Sequence, residues 1–193
     1  AILFGGRRST VVPLVTEAFN WQHGVFMGSI MASETTAAQA GAVGNLRHDP
    51  FAMLPFCGYN MADYFGHWLE MGARGDESTL PKIFYVNWFL KGEDGSFLWP
   101  GYGENARVLE WVFERASGRG DAVETPIGYL PTSAGLDTEG LDLDDDAVDA
   151  LLRVDAAAWR DELAGIQEHF ARFGDHLPAA LYEELEDLRR RLG

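Results

Sequence analysis

Asn87-Trp88-Phe89-Leu90-Lys91-Gly92-Glu93-Asp94-Gly95-Ser96-Phe97-Leu98-Trp99-Pro100-Gly101-Tyr102-Gly103-Glu104-Asn105 is the stretch on which the reading of the chain turns. Ile83 to Trp88 is rich in β-branched and aromatic residues at strand length, so the stretch is expected to leave a strand and pass a Gly-rich turn. It then enters a helix predicted over Asn105 to Arg115, with Val108, Leu109, Val112 and Phe113 buried and Gly118 closing it. Five aromatics in this span exceed what a turn needs. Rings flanked by glycines can close on a flat ligand, a planar base or a saccharide, or pack into a core, and both readings are open. The Asn105 amide offers a donor and an acceptor to a base edge, and the same position suits an N-cap.

Upstream, Ala1-Ile2-Leu3-Phe4 reads as a buried strand running into Gly5-Gly6-Arg7-Arg8. A chain that starts inside a core strand is expected to lack an upstream portion. The two glycines would let the backbone turn while a guanidinium faces a ligand phosphate, and a strand end with two solvated or salt-bridged arginines explains them too. Val11 to Val15 and Val25 to Ile30 are further strand candidates. Asn60 followed by Asp63 predicts a capped helix with Met61, Tyr64, Phe65, Trp68 and Leu69 on one face before Gly72. Thr35 to Gly44 is rich in small residues and suits a helix, loop or lid. Strands interspersed with helices argue for a mixed α/β fold. Beyond Gly140, two amphipathic helices are predicted, one through Leu152, Trp159, Leu163, Ile166, Phe170 and Phe173, the other through Leu181, Leu185, Leu188 and Leu192, packing back onto the core. The chain divides into a mixed α/β part, 1–140, and a C-terminal helical part, 141–193.

With 193 residues, 47% hydrophobic, the chain can bury a sizeable core. No apolar run approaches the roughly 20 residues that cross a bilayer. The net charge of -15 disfavours nucleic acid and anionic membranes as partners. The acidity is uneven: 16 of the 30 Asp and Glu lie from Asp137 onward, against 6 Arg, so an anionic ligand is expected in the first part. The single cysteine, Cys57, lies among apolar residues, is expected to be a buried inert thiol, and suits a cytoplasmic setting. The five histidines are scattered and read as packed or surface groups rather than metal ligands.

The sequence resembles the GTP-dependent phosphoenolpyruvate carboxykinase family through Phe4-Gly5-Gly6-Arg7-Arg8, Trp21-Gln22-His23-Gly24-Val25-Phe26, His48-Asp49-Pro50-Phe51-Ala52-Met53, Phe56-Cys57-Gly58-Tyr59-Asn60, Leu80-Pro81-Lys82-Ile83-Phe84, Asn87-Trp88-Phe89, Phe97 through Asn105, and Thr125-Pro126-Ile127-Gly128. The resemblance implies the C-terminal part of an α/β, P-loop-type domain, with a mixed sheet and packed C-terminal helices. It implies decarboxylation of oxaloacetate and transfer of the GTP γ-phosphoryl to give phosphoenolpyruvate, carbon dioxide and GDP, in gluconeogenesis. Carried over by motif, the guanine pocket falls on Phe89, Phe97 and Tyr102, with Asn105 on the base edge and the backbone of Gly103 and Glu104 contributing. The phosphate-side arginine falls on Arg7, and a lid on about Thr35 to Asn45.

Tyr102 stands where the family usually has Phe. Ala40 and Ala42 replace an acidic residue and a Lys of many relatives' lids, and Ala32 and Leu54 stand where vertebrate forms carry Arg. The family's phosphate-binding loop, reactive cysteine, ligands for Mn2+ or Mg2+ and oxaloacetate-binding arginines all belong upstream of Ala1, and no G-x-x-x-x-G-K-[ST] occurs here. The isolated chain is therefore expected to be inactive, with a non-catalytic guanine-nucleotide module or a structural remnant as the other readings.

Overall fold

The computed structural model describes residues 1–35 and 44–193. Along the chain lie β1 (Ile2–Phe4), β2 (Val15–Glu17), α1 (Trp21–Ser29), β3 (Ala32–Glu34), β4 (Leu46–His48), α2 (Met61–Ala73), β5 (Ile83–Val86), α3 (Asn105–Ala116), β6 (Val123–Thr125), β7 (Gly128–Leu130), α4 (Asp145–Leu152), α5 (Ala156–Ala171) and α6 (Ala179–Leu192), with short 3-10 turns between. Five strands form a mixed sheet in the order β1-β5-β2-β7-β6. β1 and β5 run parallel, while β2 is antiparallel to β5 and β7. β3 and β4 pair separately as an antiparallel hairpin.

β5 is apolar at every position because both faces of the sheet are covered there. Ile83 and Tyr85 join a core with residues of α1, α2, α5 and α6. Phe84 and Val86 join a second core with Val108, Trp111 and Val112 of α3 and Leu151 of α4. The alternation of a strand thus divides one segment between two helical layers. Among the described residues β1 pairs on one side only, and its residues are half-buried or exposed rather than buried as the sequence suggested.

Three expectations about elements change. Val25 to Ile30 is not a strand: Val25 to Ser29 lie in α1 and Ile30 is its C-cap, while at the start of the helix the Asn20 side chain accepts from His23 N (2.8 Å). Seven of the nine α1 residues are buried, so the helix shows no polar face. Val11 to Val15 contributes to the sheet only at Val15, because Pro13 cannot donate to a ladder and Val11 adopts a φ of 69°. The C-terminal part holds three helices rather than two, since Leu152 ends α4 and Asp155 caps α5. In α3 the buried face is Val108, Trp111 and Val112, whereas Leu109 and Phe113 are exposed. α2 begins at its predicted cap, Asn60 accepting from Ala62 N (3.0 Å). Cys57 is half-exposed in a surface loop, its Sγ donating to Tyr59 O (3.5 Å).

Candidate functional site

β1 and β5 are neighbours pointing the same way, so the segments that leave them emerge together at one edge of the sheet. That edge is where ligands gather in open α/β sheets. Arg7 follows β1, Trp88 and Phe89 follow β5, and with Ser33 they line an open depression of about 490 Å3. The two glycines before Arg7 are dictated by crowding. A Cβ on Gly5 would lie 1.9 Å from Val86 O, and one on Gly6 2.3 Å from Ala32 O.

The arginine turn is held from both sides. On the β3 side, Arg7 N donates to Ser33 Oγ (3.1 Å), Glu34 N donates to Arg7 O (2.8 Å), and Ser9 N and Oγ donate to Glu34 Oε1 (2.6 and 2.7 Å). On the β5 side sits the buried Asn87 side chain, bonded to the backbone of Arg8 (2.9 Å) and Val12 (2.7 Å). The two arginines differ. Arg7 is exposed, whereas Arg8 is buried and paired with Glu162 of α5 (2.6 Å). Beneath them, burial pushes the Tyr85 phenol up to about 12, so it stays protonated.

Phe97 returns toward Phe89 through a hairpin: Leu98 N donates to Leu90 O (2.9 Å) and Gly92 N to Ser96 O (3.0 Å). The Asp94 carboxylate accepts from Ser96 N and Oγ inside the turn (2.9 and 2.7 Å), which lowers its pKa. The Phe89 and Phe97 centroids are 5.9 Å apart in an edge-to-face arrangement, and Lys91 Nζ lies 5.3 Å from the Phe97 centroid. Tyr102, in the 3-10 turn Tyr102–Glu104, is 98% exposed and stands outside that ring pair. Asn105 is the first residue of α3 rather than its cap, and its Oδ1 accepts from the buried Trp99 Nε1 (2.9 Å). The Glu104 carboxylate is taken by Arg107 (2.6 Å), which also reaches Asp137 (2.9 Å), and the Glu104 N–H donates to Gly101 O (2.8 Å) within the turn.

The family model described as phosphoenolpyruvate carboxykinase C-terminal P-loop domain matches residues 1–191. The chain belongs to this family. It is 58% identical over its whole length to phosphoenolpyruvate carboxykinase (GTP) of Paenarthrobacter aurescens, and 55% identical to the proteins of that name from Chlamydia trachomatis and Neocallimastix frontalis. The chain spans 32% of the length of each of these relatives. The α/β mixed sheet and its packed helices fit the carboxykinase C-terminal domain.

Arg7, Phe89 and Phe97 therefore lie at one edge, Asn105 orients Trp99, and Tyr102 is open to solvent. Of the lid expected over Thr35 to Asn45, residues 36–43, Ala40 and Ala42 among them, lie outside the described residues. Ser33, Glu34 and the hydrogen bonds of Asn87 carried no signal in the sequence, because each acts on a backbone turn remote in the chain. Among the described residues, no group of three or more His, Cys, Asp or Glu side chains is arranged to hold a metal ion. No helix among them is long and apolar enough to cross a membrane.

Proposed function

We propose that this chain forms the guanine-nucleotide side of a GTP-dependent phosphoenolpyruvate carboxykinase. In this reading it works with the upstream portion that makes up the rest of its longer relatives. One observation carries the reading: the exposed guanidinium of Arg7 and the Phe89 ring border the same depression at the exits of two parallel strands. The base would lie against Phe89 and Phe97, burying part of Phe97, which is 57% exposed, and drawing on the open Tyr102 ring. With its oxygen held by Trp99, the Asn105 amide keeps its NH2 to donate to the guanine carbonyl. Adenine presents an amino group at that position, so the donor favours guanine.

Arg7 would offset charge on the terminal phosphoryl as it passes from GTP to the enolate formed when oxaloacetate loses carbon dioxide, giving phosphoenolpyruvate and GDP. Such transfer is mostly a matter of positioning and electrostatics, and one arginine supplies only part of it. The residues described here do not fit a Mn2+ or Mg2+ site, so no step through a metal is assigned to them. Residues 1–140 carry the nucleotide edge in this reading, 141–193 buttress it, and the cytoplasm is the setting.

Trp88 lines the depression and reports on it. Titration of the chain with GTP is expected to quench tryptophan fluorescence, with ATP having little effect, and Phe97→Ala is expected to abolish the difference. Equal responses to the two nucleotides would overturn the reading. Supplied with oxaloacetate, GTP and Mn2+, the isolated chain is expected to show no turnover above a heat-killed control.

A further inference from the structure

Asn87 is completely buried, and its carboxamide uses its full bonding capacity. Nδ2 donates to Arg8 O (2.9 Å) and Val12 O (2.7 Å), while Oδ1 accepts from Arg8 N (3.2 Å) and Phe89 N (3.3 Å). Two carbonyls on one side and two N–H groups on the other leave one orientation of the amide. Its own backbone N donates to Leu14 O (2.8 Å). One side chain thus ties the turn carrying Arg7 to the segment carrying Phe89.

A second observation marks this tie as more than packing. Val11 has a φ of 69°, a left-handed conformation that is unfavourable for a β-branched residue and persists only where its surroundings hold it. The bond from Asn87 to Val12 O and the bond from Lys91 N to Ser9 O (3.0 Å) bracket that residue. A local bond from Val12 N to Thr10 O (2.8 Å) spans Val11 itself, and the contacts from the chain that follows β5 hold the 7–12 loop around it. Relaxing it would shift the Arg7 backbone relative to Phe89.

We propose that Asn87 is a positioning residue that sets the separation between the phosphate-side guanidinium of Arg7 and the base-side ring of Phe89. It thereby makes the site respond to a nucleotide that engages both at once. The proposal rests on the guanine-nucleotide reading above. A base and a phosphate held by one rigid frame reinforce each other, since the second contact forms at little further entropic cost. Loosening the frame should remove that reinforcement and leave the base contacts largely intact.

The test compares GTP with guanosine, which has the base but no phosphates, on the full chain and on Asn87→Ala, Asn87→Ser and Arg7→Ala, with thermal unfolding recorded for each. Asn87→Ala is expected to weaken GTP binding about tenfold and guanosine binding less than about twofold, with Asn87→Ser between the two. Combining Asn87→Ala with Arg7→Ala should add little to the loss of GTP affinity from Arg7→Ala alone. Equal losses for the two ligands, or no loss for either, would overturn the proposal while leaving the guanine site intact. An unvaried chain that binds neither ligand would overturn the reading of the site, and this proposal with it. Loss of cooperative unfolding in both Asn87 variants would make Asn87 a residue of the fold alone and end the proposal.

Discussion

The two halves of the segment from Asn87 to Asn105 are built in opposite ways. The first half, Asn87 to Leu90, is bonded to the 8–14 backbone and sits half-buried or buried on the sheet. The second half projects as a hairpin and a turn, with Phe97 57% and Tyr102 98% exposed, anchored inward chiefly through Trp99 and its bond to Asn105. The difference teaches a division of labour. In the reading proposed above, the buried half fixes where a ligand would go, while the exposed half keeps apolar surface for a ligand or a partner to cover.

The rigid half should break most severely where it is most crowded. Gly5→Ala would drive a Cβ into Val86 O at 1.9 Å, between the two parallel strands, and is expected to cost about 3 kcal/mol or more in urea denaturation. A loss below 1 kcal/mol, roughly the effect of an unremarkable site, would mean that the strand exits yield easily.

Acid sharpens the comparison from outside both halves. His48 at the end of β4 stacks on His169 of α5 with centroids 4.1 Å apart, and their ring nitrogens lie near Ile30 O and Ser29 O (3.2 and 3.0 Å). Burial lowers both pKa values, that of His169 to about 4, and the neighbouring Arg172 adds to the effect. Because the folded-state pKa lies below the unfolded value of 6.5, the unfolded chain takes up protons first as pH falls. Stability should be full above pH 6.5 and decline as pH falls toward 4. His169→Gln should flatten that slope in denaturation midpoints measured across the interval. An unchanged slope would assign the acid response to other groups, such as His23, whose burial lowers it to about 3.

The smallest effect is expected in the exposed half. Asn105→Ala removes the partner of Trp99 Nε1 and should cost about 1 kcal/mol of stability, while erasing any preference for GTP over ATP in the fluorescence titration. A retained preference would move base recognition away from Asn105.

Elements with a polar and an apolar face were legible in the sequence. α2 announced itself through Asn60 and the spacing of Met61 and Phe65, while β5, apolar on both faces, showed only as a short run of β-branched and aromatic residues from Ile83 to Val86. α1 was not legible, because a helix buried nearly all round carries the composition of a core strand. In α3, apolar residues occupy both faces, and only packing shows that Trp111 rather than Phe113 turns inward. The site residues were named through family motifs; their neighbourhood was not readable, since Arg7 and Phe89 meet only because β1 and β5 pair in parallel. Asn87 stood in the decisive segment as one polar residue among rings, and its role lies in partners more than 70 positions away.

The ion pair between Arg8 and Glu162 closes a loop of 154 positions. During synthesis on the ribosome, the strap behind the arginine turn stays unfastened until α5 has emerged, on the order of ten seconds or more after Arg8 is made. A nascent chain halted before Glu162 would hold Arg8 without its counter-charge, so the arginine turn is completed only after α5 has been made.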